Sequence, residues 1–427
     1  MSYSLLLFPG LRLKRWFFLI VLSIIVLYVG FSGIMSQHTG GIHLRPPMIV
    51  ELEDHLKHLK FIDFLLMLLA IWGIFFALRR MLFSLLTVYA PAREKEFINM
   101  TYQRMRLRRG PRIVAVGGGT GLPNVLSSLK HYTINLTAVV TVADDGGSSG
   151  RLRKAFGTPP PGDIRNCIVA LSDQETLMKD LFQYRFKGHG DLKGHSFGNL
   201  FITVMKEITG DFGMAVEESS KVLATRGTVM PVTFDEMTLQ ARLKNGKTIT
   251  GESLIPLGKS PIDRILLKEK RVRPNKDVLK AILEADAVVL GPGSLFTSVL
   301  PNLLIPEVAE TIALSRAVKI YVCNVMTQPG ETDRYKVSDH VKTLLKHTGP
   351  NFVHYVIANK EKVPQKLLAR YEAYGQEPVT VDDEAVKETG VRLLKANLLH
   401  REDFVRHSPE KLGRAIIRLL VGYPLKI

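Results

Sequence analysis

Several short runs in this chain have the residue types and spacing that hold a phosphorylated ligand. Gly117, Gly118, Gly119, Thr120 and Gly121 read GGGTG, directly after an apolar run and before a helical pattern. Successive glycines let the backbone bend tightly and turn its N–H groups towards an anion, and the start of a following helix adds a favourable dipole. The run is not GxGxxG, because Leu122 stands where the third glycine belongs, and it lacks the GK[ST] of a P-loop. A structural tight turn is the alternative reading. Asp144, Asp145, Gly146, Gly147, Ser148 and Ser149 come next, with Arg151 and Arg153 close behind. Paired carboxylates can hold Mg²⁺ or a ligand hydroxyl, and Arg151 can clamp a phosphate with two hydrogen bonds. The alternative is a solvated turn with a helix cap.

PPGDIRN (160–166) follows, where Asp163 and Arg165 either complete the same site or, for Asp163, cap a helix. In GHGDLKGHSFGNL (188–200), His195 and Asn199 lie four apart, and Asn199 begins or enters a helix running to Glu207. HxxxN matches no metal-ligand pattern, so His195 is either a ligand contact or structural, and His189 reads as a surface or capping residue. Gly291, Gly293, Ser294, Thr297 and Ser298 make another hydroxyl-rich cradle, Asn302 can read a base or sugar, and Gln328, Glu331 and Thr332 add polar groups. There is no GxSxG elbow, HExxH or paired CxxC. The residues alone therefore lead to binding of a phosphorylated ligand, with phosphoryl-type transfer if the aspartates hold a metal.

Such loops need strands that end at one edge. RIVAV (112–116), LTAVVTVA (136–143), ADAVVLG (285–291), VKIYVCNVM (318–326) and FVHYVIAN (352–359) are near-continuous β-branched apolar runs, separated by helical stretches such as that near 122–131. That alternation implies a parallel sheet with both faces covered, and ligands then sit beyond the carboxyl ends of its strands. LQARLKNGKTIT (239–250), around Asn245-Gly246, predicts a small β-hairpin excursion. Ser408 and Pro409 open a closing helix over 408–420.

The first 85 residues are different. Residues 16–35 hold no charge over twenty positions, and 64–78 is a second apolar run, each near the length that crosses about 30 Å of hydrocarbon. A signal peptide is the alternative for the first run. Of the formal net charge of +17, more than half lies within residues 1–112. Arg12, Lys14 and Arg15 precede the first run, and Arg79 and Arg80 open a basic stretch after the second, so both ends are expected on the cytoplasmic side. Residues 81–110 read as a basic connector lying on the inner leaflet or as a plain helical linker. Nothing in the remainder has a nucleic-acid-binding signature. Cys167 and Cys323 are too few for a disulfide framework, which points to a reducing compartment and packing roles.

GGGTG, ADDGGSSGRLR (143–153), PPGDIRN, GHSFGNL (194–200), LGPGSLFTSVLPNLL (290–304) and CNVMTQPGETD (323–333) together resemble the gluconeogenesis factor family, the YvcK type, related to 2-phospho-L-lactate transferase. The resemblance covers 112–420 in one colinear order. It implies a Rossmann-like α/β domain (111–427) that binds nucleotide sugars such as UDP-N-acetylglucosamine and acts in carbon metabolism, cell shape and cell-wall synthesis, possible partners being cell-wall synthesis proteins. The alternative is a Mg²⁺-dependent transferase of a nucleotide-diphosphate-linked group, as in the transferase relatives. On matching positions Asp145 and Asp163 would hold the metal, the loops at 117–121 and 293–298 would cradle the diphosphate, and Asn166 and Asn199 would touch the ligand. The N-terminus departs from the family's soluble members and gives three expected regions, a membrane hairpin (1–80), the connector (81–110) and the α/β domain, with a homo-oligomer left open.

Overall fold

A computed structural model of the chain describes residues 13–39, 60–89, 106–173, 176–400 and 405–422. It forms two compact units, Met1–Arg104 and Met105–Ile427. The second is built on ten strands. They are β1 (Ile113–Gly117), β2 (Leu136–Val140), β3 (Thr228–Pro231), β4 (Leu239–Leu243), β5 (Thr248–Thr250), β6 (Ile262–Leu267), β7 (Ala287–Leu290), β8 (Val318–Val322), β9 (Tyr355–Asn359) and β10 (Arg392–Ala396). A two-stranded ribbon, Leu399–His400 with Arg406–His407, follows them.

Seven of the strands make one sheet, in the order β10-β9-β8-β7-β1-β2-β3, and each neighbouring pair is parallel. Every residue of β1, β7 and β8 is buried. Since successive side chains point to opposite faces, both faces must be covered. The cover includes the helix Gly121–Leu129, whose Leu122, Val125, Leu126 and Leu129 are fully buried. Their spacing puts them on one helical stripe, and each such side chain removed from water contributes about 1.5–3 kcal/mol. The expected Rossmann-like α/β architecture is therefore present. The edge strand β10 has no fully buried residue, which is why no apolar run announces it.

The chain moves outward from β1 through β2 to β3, then returns at β7 on the other side of β1 and continues to β8, β9 and β10. The gap between β1 and β7 is thus a topological switch point, where the loops leaving two adjacent strands diverge and open a crevice. The loops at 117–121 and 291–298 are those two loops.

The excursion is larger than a hairpin. β4 and β5 pair antiparallel around Asn245-Gly246, with Gly246 at φ +82°, and β6 adds a third antiparallel strand beyond β4. β6 carries Asp263 and Arg264 in its middle, which breaks the apolar pattern. Asp263 is matched by Arg242 at 3.0 Å and Lys346 at 2.7 Å. The closing helix runs Pro409–Val421 with Ser408 as N-cap. Cys167 and Cys323 are free and buried.

In the first unit the helices Leu13–Thr39 and Lys60–Tyr89 pack antiparallel. Trp16 meets Phe76 with ring centroids 5.9 Å apart, and a Cβ on Gly73 would come within 2.6 Å of Ser23 Oγ. Ala70 and Ala77 are buried on the same seam, small residues letting two backbones approach closely. Phe18, Ile25, Trp72 and Phe75 face outward. Both helices are long and apolar enough to cross a membrane. The second continues past residue 80 because MLFSLL (81–86) keeps the apolar pattern. Residues 40–59, and 90–105 of the basic connector, lie outside the described residues.

Candidate functional site

The strand-end loops after β1, β7 and β8 line one cleft of about 730 Å³. Gly119, Thr120 and Gly121 form one wall, Gly293, Ser294, Thr297 and Ser298 the facing one, and Asn324, Gln328 and Glu331 the next. Two of the glycines are dictated by this convergence. Gly119 has φ +62°, and a Cβ on Gly121 would run into the backbone of Pro292 and lie 2.8 Å from Gly293 Cα. Gly117 and Gly118 sit deeper, at the end of β1. The Gly117 carbonyl accepts from Thr141 N at 3.0 Å, and a Cβ on Gly118 would meet Asp163 Oδ2 at 2.7 Å. Gly291, at φ +77°, makes the turn out of β7.

Asp163 is not a helix cap. It lies in the first turn of the helix Gly162–Leu171, behind Pro161 as N-cap, and its Oδ2 accepts from Gly119 N at 2.7 Å. Burial is the chief cause that raises its pKa to about 6, the Gly119 N–H opposing that shift and Asp144 adding to it. On the far wall Ser294 caps its own turn by accepting from Thr297 N at 3.1 Å and donates to Glu331 Oε2. Burial pushes Glu331 up to about 7. Gly293 N donates to Asn324 Oδ1 at 3.2 Å. Asn302, expected to read a base or sugar, is fully buried. Its Nδ2 donates to the carbonyls of Ser298 at 2.9 Å and Gly117 at 3.2 Å, so it ties the two cradle loops together from below.

The loop after β2 takes a different position from the one its sequence suggested. Asp144 Oδ1 accepts from Gly146 N at 3.0 Å. Asp145, expected to hold metal, instead accepts from Glu252 N at 3.0 Å and Ser253 N at 2.9 Å, anchoring the 3₁₀ turn Glu252–Leu257 of the excursion. That anchor delivers Glu252 to the cleft. Burial, then Asp144, Asp145, Asp163 and Glu331, raise Glu252 to about 8. Gly146 is the N-cap and Gly147 the first residue of the helix Gly147–Phe156. Ser148 Oγ lies 2.9 Å from His195 Nδ1 and accepts from Asn199 Nδ2 at 3.1 Å. Ser149 is buried, and its Oγ and Asp144 Oδ2 both border Gly162. Arg165 donates to Asn166 Oδ1 at 2.7 Å and to Ser196 Oγ. Arg151 donates to the Lys193 carbonyl at 2.7 Å, and His189 is exposed. The predicted residues thus form two adjoining groups, a glycine- and hydroxyl-rich cleft and a Ser–His–Asn–Arg cluster. Asp144 and Asp163 stand between them.

Glu252, Tyr371, Gln376, Arg406 and His407 also line the cleft and carry no motif. Glu331 and Asn324 had a signal, their place in the run 323–333 at a strand end. The other five reach the cleft from segments outside the strand-end loops, so only the fold reveals them. His407 is buried, which pushes its pKa down to about 4.

Among the described residues no three His, Cys, Asp or Glu side chains are grouped to hold a metal by themselves. Mg²⁺ does not require such a cage, since it is usually held by one or two carboxylates together with ligand phosphates and water. Asp144 and Asp163, beside a diphosphate-sized cradle, fit that pattern, and Asp145 does not.

Residues 113–399 match the family model of 2-phospho-L-lactate transferase CofD. The gluconeogenesis factor of Bacillus subtilis is 46% identical over 311 residues, 73% of this chain and 98% of that protein. A Nostoc relative carrying the gluconeogenesis factor name is 43% identical over 436 residues, 97% of this chain and 92% of its own. A crystal structure of a Bacillus halodurans protein superposes with a TM-score of 0.71 at 45% identity, covering 72% of this chain and all of that one.

Proposed function

We propose, from the premise that this chain belongs to the CofD family and to its gluconeogenesis factors, that it binds a nucleotide-diphosphate-linked ligand with Mg²⁺ and transfers the linked group. The observation that carries the reading is the convergence at the switch point. The cradles after β1 and β7 face each other across one cleft, Asp163 accepts from Gly119 N of the first cradle, and buried Glu331 lines the cleft. Backbone N–H groups and the hydroxyls of Thr120, Ser294, Thr297 and Ser298 would enclose the diphosphate. Tyr371, Gln376, Arg406 and His407 line the side of the cleft that a base or sugar would occupy. Mg²⁺ held by Asp144 and Asp163 would neutralise charge on a leaving phosphate. The residues themselves orient the ligand and exclude water from it.

A second reading is a regulator that binds a UDP-sugar such as UDP-N-acetylglucosamine and acts on cell shape and peptidoglycan synthesis proteins. It rests on the motif resemblance of the sequence, and relatives at 41–49% identity carry the gluconeogenesis factor name. In either reading the two apolar helices hold the α/β domain at the cytoplasmic face of the cell membrane, with basic residues against the inner leaflet.

The test is a thermal-shift series with UDP-N-acetylglucosamine and GDP, with and without Mg²⁺, followed by ³¹P NMR for nucleotide release in the presence of hydroxyl acceptors. A Mg²⁺-dependent shift is expected, because a ligand that binds only the native state stabilises it by mass action. Release of nucleotide supports transfer, whereas binding without release supports the regulator. No shift at millimolar ligand overturns both.

A further inference from the structure

The cluster beside the cleft holds a pairing that neither reading uses. Ser148 and His195 are buried, and their Oγ and Nδ1 atoms are 2.9 Å apart. Asn199 Nδ2 donates to the same Oγ at 3.1 Å. A hydroxyl that already accepts from an amide directs its own proton elsewhere, and Nδ1, in the tautomer that carries its proton on Nε2, is the acceptor within reach. Burial, then the nearby Arg151, lower the pKa of the imidazole.

Two further features point outward to a ligand. The helix Gly147–Phe156, ten residues long, begins without any side-chain cap. Its first N–H groups, around Ser148, have no partner within the helix. Asn199 Oδ1 and Arg165 Nε are buried and without a hydrogen-bond partner, on residues almost completely shielded from solvent. Unpaired buried polar atoms of this kind are costly unless something else satisfies them.

We propose that Ser148 is a base-activated nucleophile, with His195 as its base and the start of its own helix as the cradle for the electrophile's oxygens. The electrophile is the phosphoryl group of the diphosphate-linked ligand, so the inference rests on the binding reading above. In the first half-reaction an Oγ–P bond forms and the Oγ proton passes to His195 Nδ1. The P–O bond to the nucleotide breaks, and its electron pair stays on the departing nucleotide phosphate. In the second, an acceptor hydroxyl or water attacks the phosphorus and gives its proton to solvent, the Oγ–P bond breaks with its electron pair on Oγ, and His195 returns its proton to that oxygen. Nucleophile and base within hydrogen-bond reach, with a third group fixing the geometry, is the arrangement such chemistry needs.

The experiment treats the purified full chain with an alkyl fluorophosphonate probe and maps the modified peptide by mass spectrometry. Labelling of Ser148 is expected, absent in Ser148→Ala. In His195→Ala it should slow about a hundredfold, as expected for loss of a general base, and recover on addition of free imidazole. Recovery by imidazole is a response that a merely structural histidine would not give. Absence of label on Ser148, or equal labelling in His195→Ala, overturns the proposal. So does a loss that imidazole fails to restore while the variant keeps the parent's melting temperature. The nucleotide thermal shift is measured in parallel on the same samples. Labelling without a shift removes the binding reading and leaves the activated serine, and a shift without labelling does the reverse.

Discussion

Asp163 accepts from the Gly119 N–H where burial raises its pKa, and burial raises Glu252 and Glu331 as well. A buried acid whose pKa is raised holds its proton more tightly folded than unfolded. The stability it contributes is complete below its unfolded pKa and is lost as pH rises through the folded value. For Asp163 that window runs from 3.8 to about 6, for Glu331 from 4.5 to about 7 and for Glu252 from 4.5 to about 8. Buried His407, lowered from 6.5 to about 4, acts in the opposite sense, its contribution being lost as pH falls through that range. The carboxylates therefore stand out cleanly above pH 6.5. The melting temperature of the ligand-free protein should fall between about pH 6.5 and 8, and Glu252→Gln should flatten that fall. Asp163→Asn keeps an oxygen that accepts from Gly119 and removes the charge. It should raise stability at pH 7.5 by about 1–3 kcal/mol, a shift of one pKa unit being worth about 1.4 kcal/mol, while abolishing the Mg²⁺-dependent part of the nucleotide shift. Calorimetry across pH checks both. A destabilised Asp163→Asn, or an undiminished Mg²⁺ effect, would mean that the site does not store this strain for a ligand.

The element that brings Glu252 to the cleft is the 3₁₀ turn Glu252–Leu257, and its anchor is one side chain. Asp145 accepts from both Glu252 N and Ser253 N, the work of an N-cap done from 107 residues away. Asp145→Ala leaves both donors without it, at a cost of about 0.5–2 kcal/mol. Amide exchange over residues 251–258 should then accelerate about two- to thirtyfold, about 1.4 kcal/mol being a factor of ten, with strands β1, β7 and β8 unchanged, as hydrogen-exchange mass spectrometry would show. Uniform acceleration across the sheet would contradict a local anchor. The same turn marks the limit of what the sequence discloses. Central strands were legible because burial on both faces makes them continuous apolar runs, and the closing helix because Ser408-Pro409 is a local signal. β3, β6 and β10 were not, since an edge or a solvated sheet lets residues such as Arg264 and Lys395 interrupt the pattern. The cradles at 117–121 and 291–298 could be read because glycine has few reasons to recur there. The partner of Asp145 could not, because a carboxylate beside glycines looks the same whether it meets a metal or a distant backbone.

At the scale of the whole molecule, charge and apolarity divide the chain. The excess positive charge gathers around two helices whose outward faces are Phe, Ile, Leu and Trp, and Lys and Arg near the ends of a span set its orientation. Arg79 and Arg80 follow the apolar run 64–78 inside the second helix and begin the basic stretch, whereas Glu51, Glu53 and Asp54 offset the few basic residues between the helices. The hairpin should therefore expose residues 40–59 on the outer side and keep the α/β domain inside. Cys167 and Cys323 are buried, so an introduced cysteine can be read against a low background. A cysteine at position 45 should react with a membrane-impermeant maleimide in intact cells, and one at position 427 only after the cells are opened. The opposite pattern would place the ligand site outside the cytoplasm, away from nucleotide diphosphates. Reaction of both only after opening would mean that the helices do not span the membrane at all. The cradle at the β1–β7 switch point would then belong to a soluble protein, and its binding test would stand unaltered.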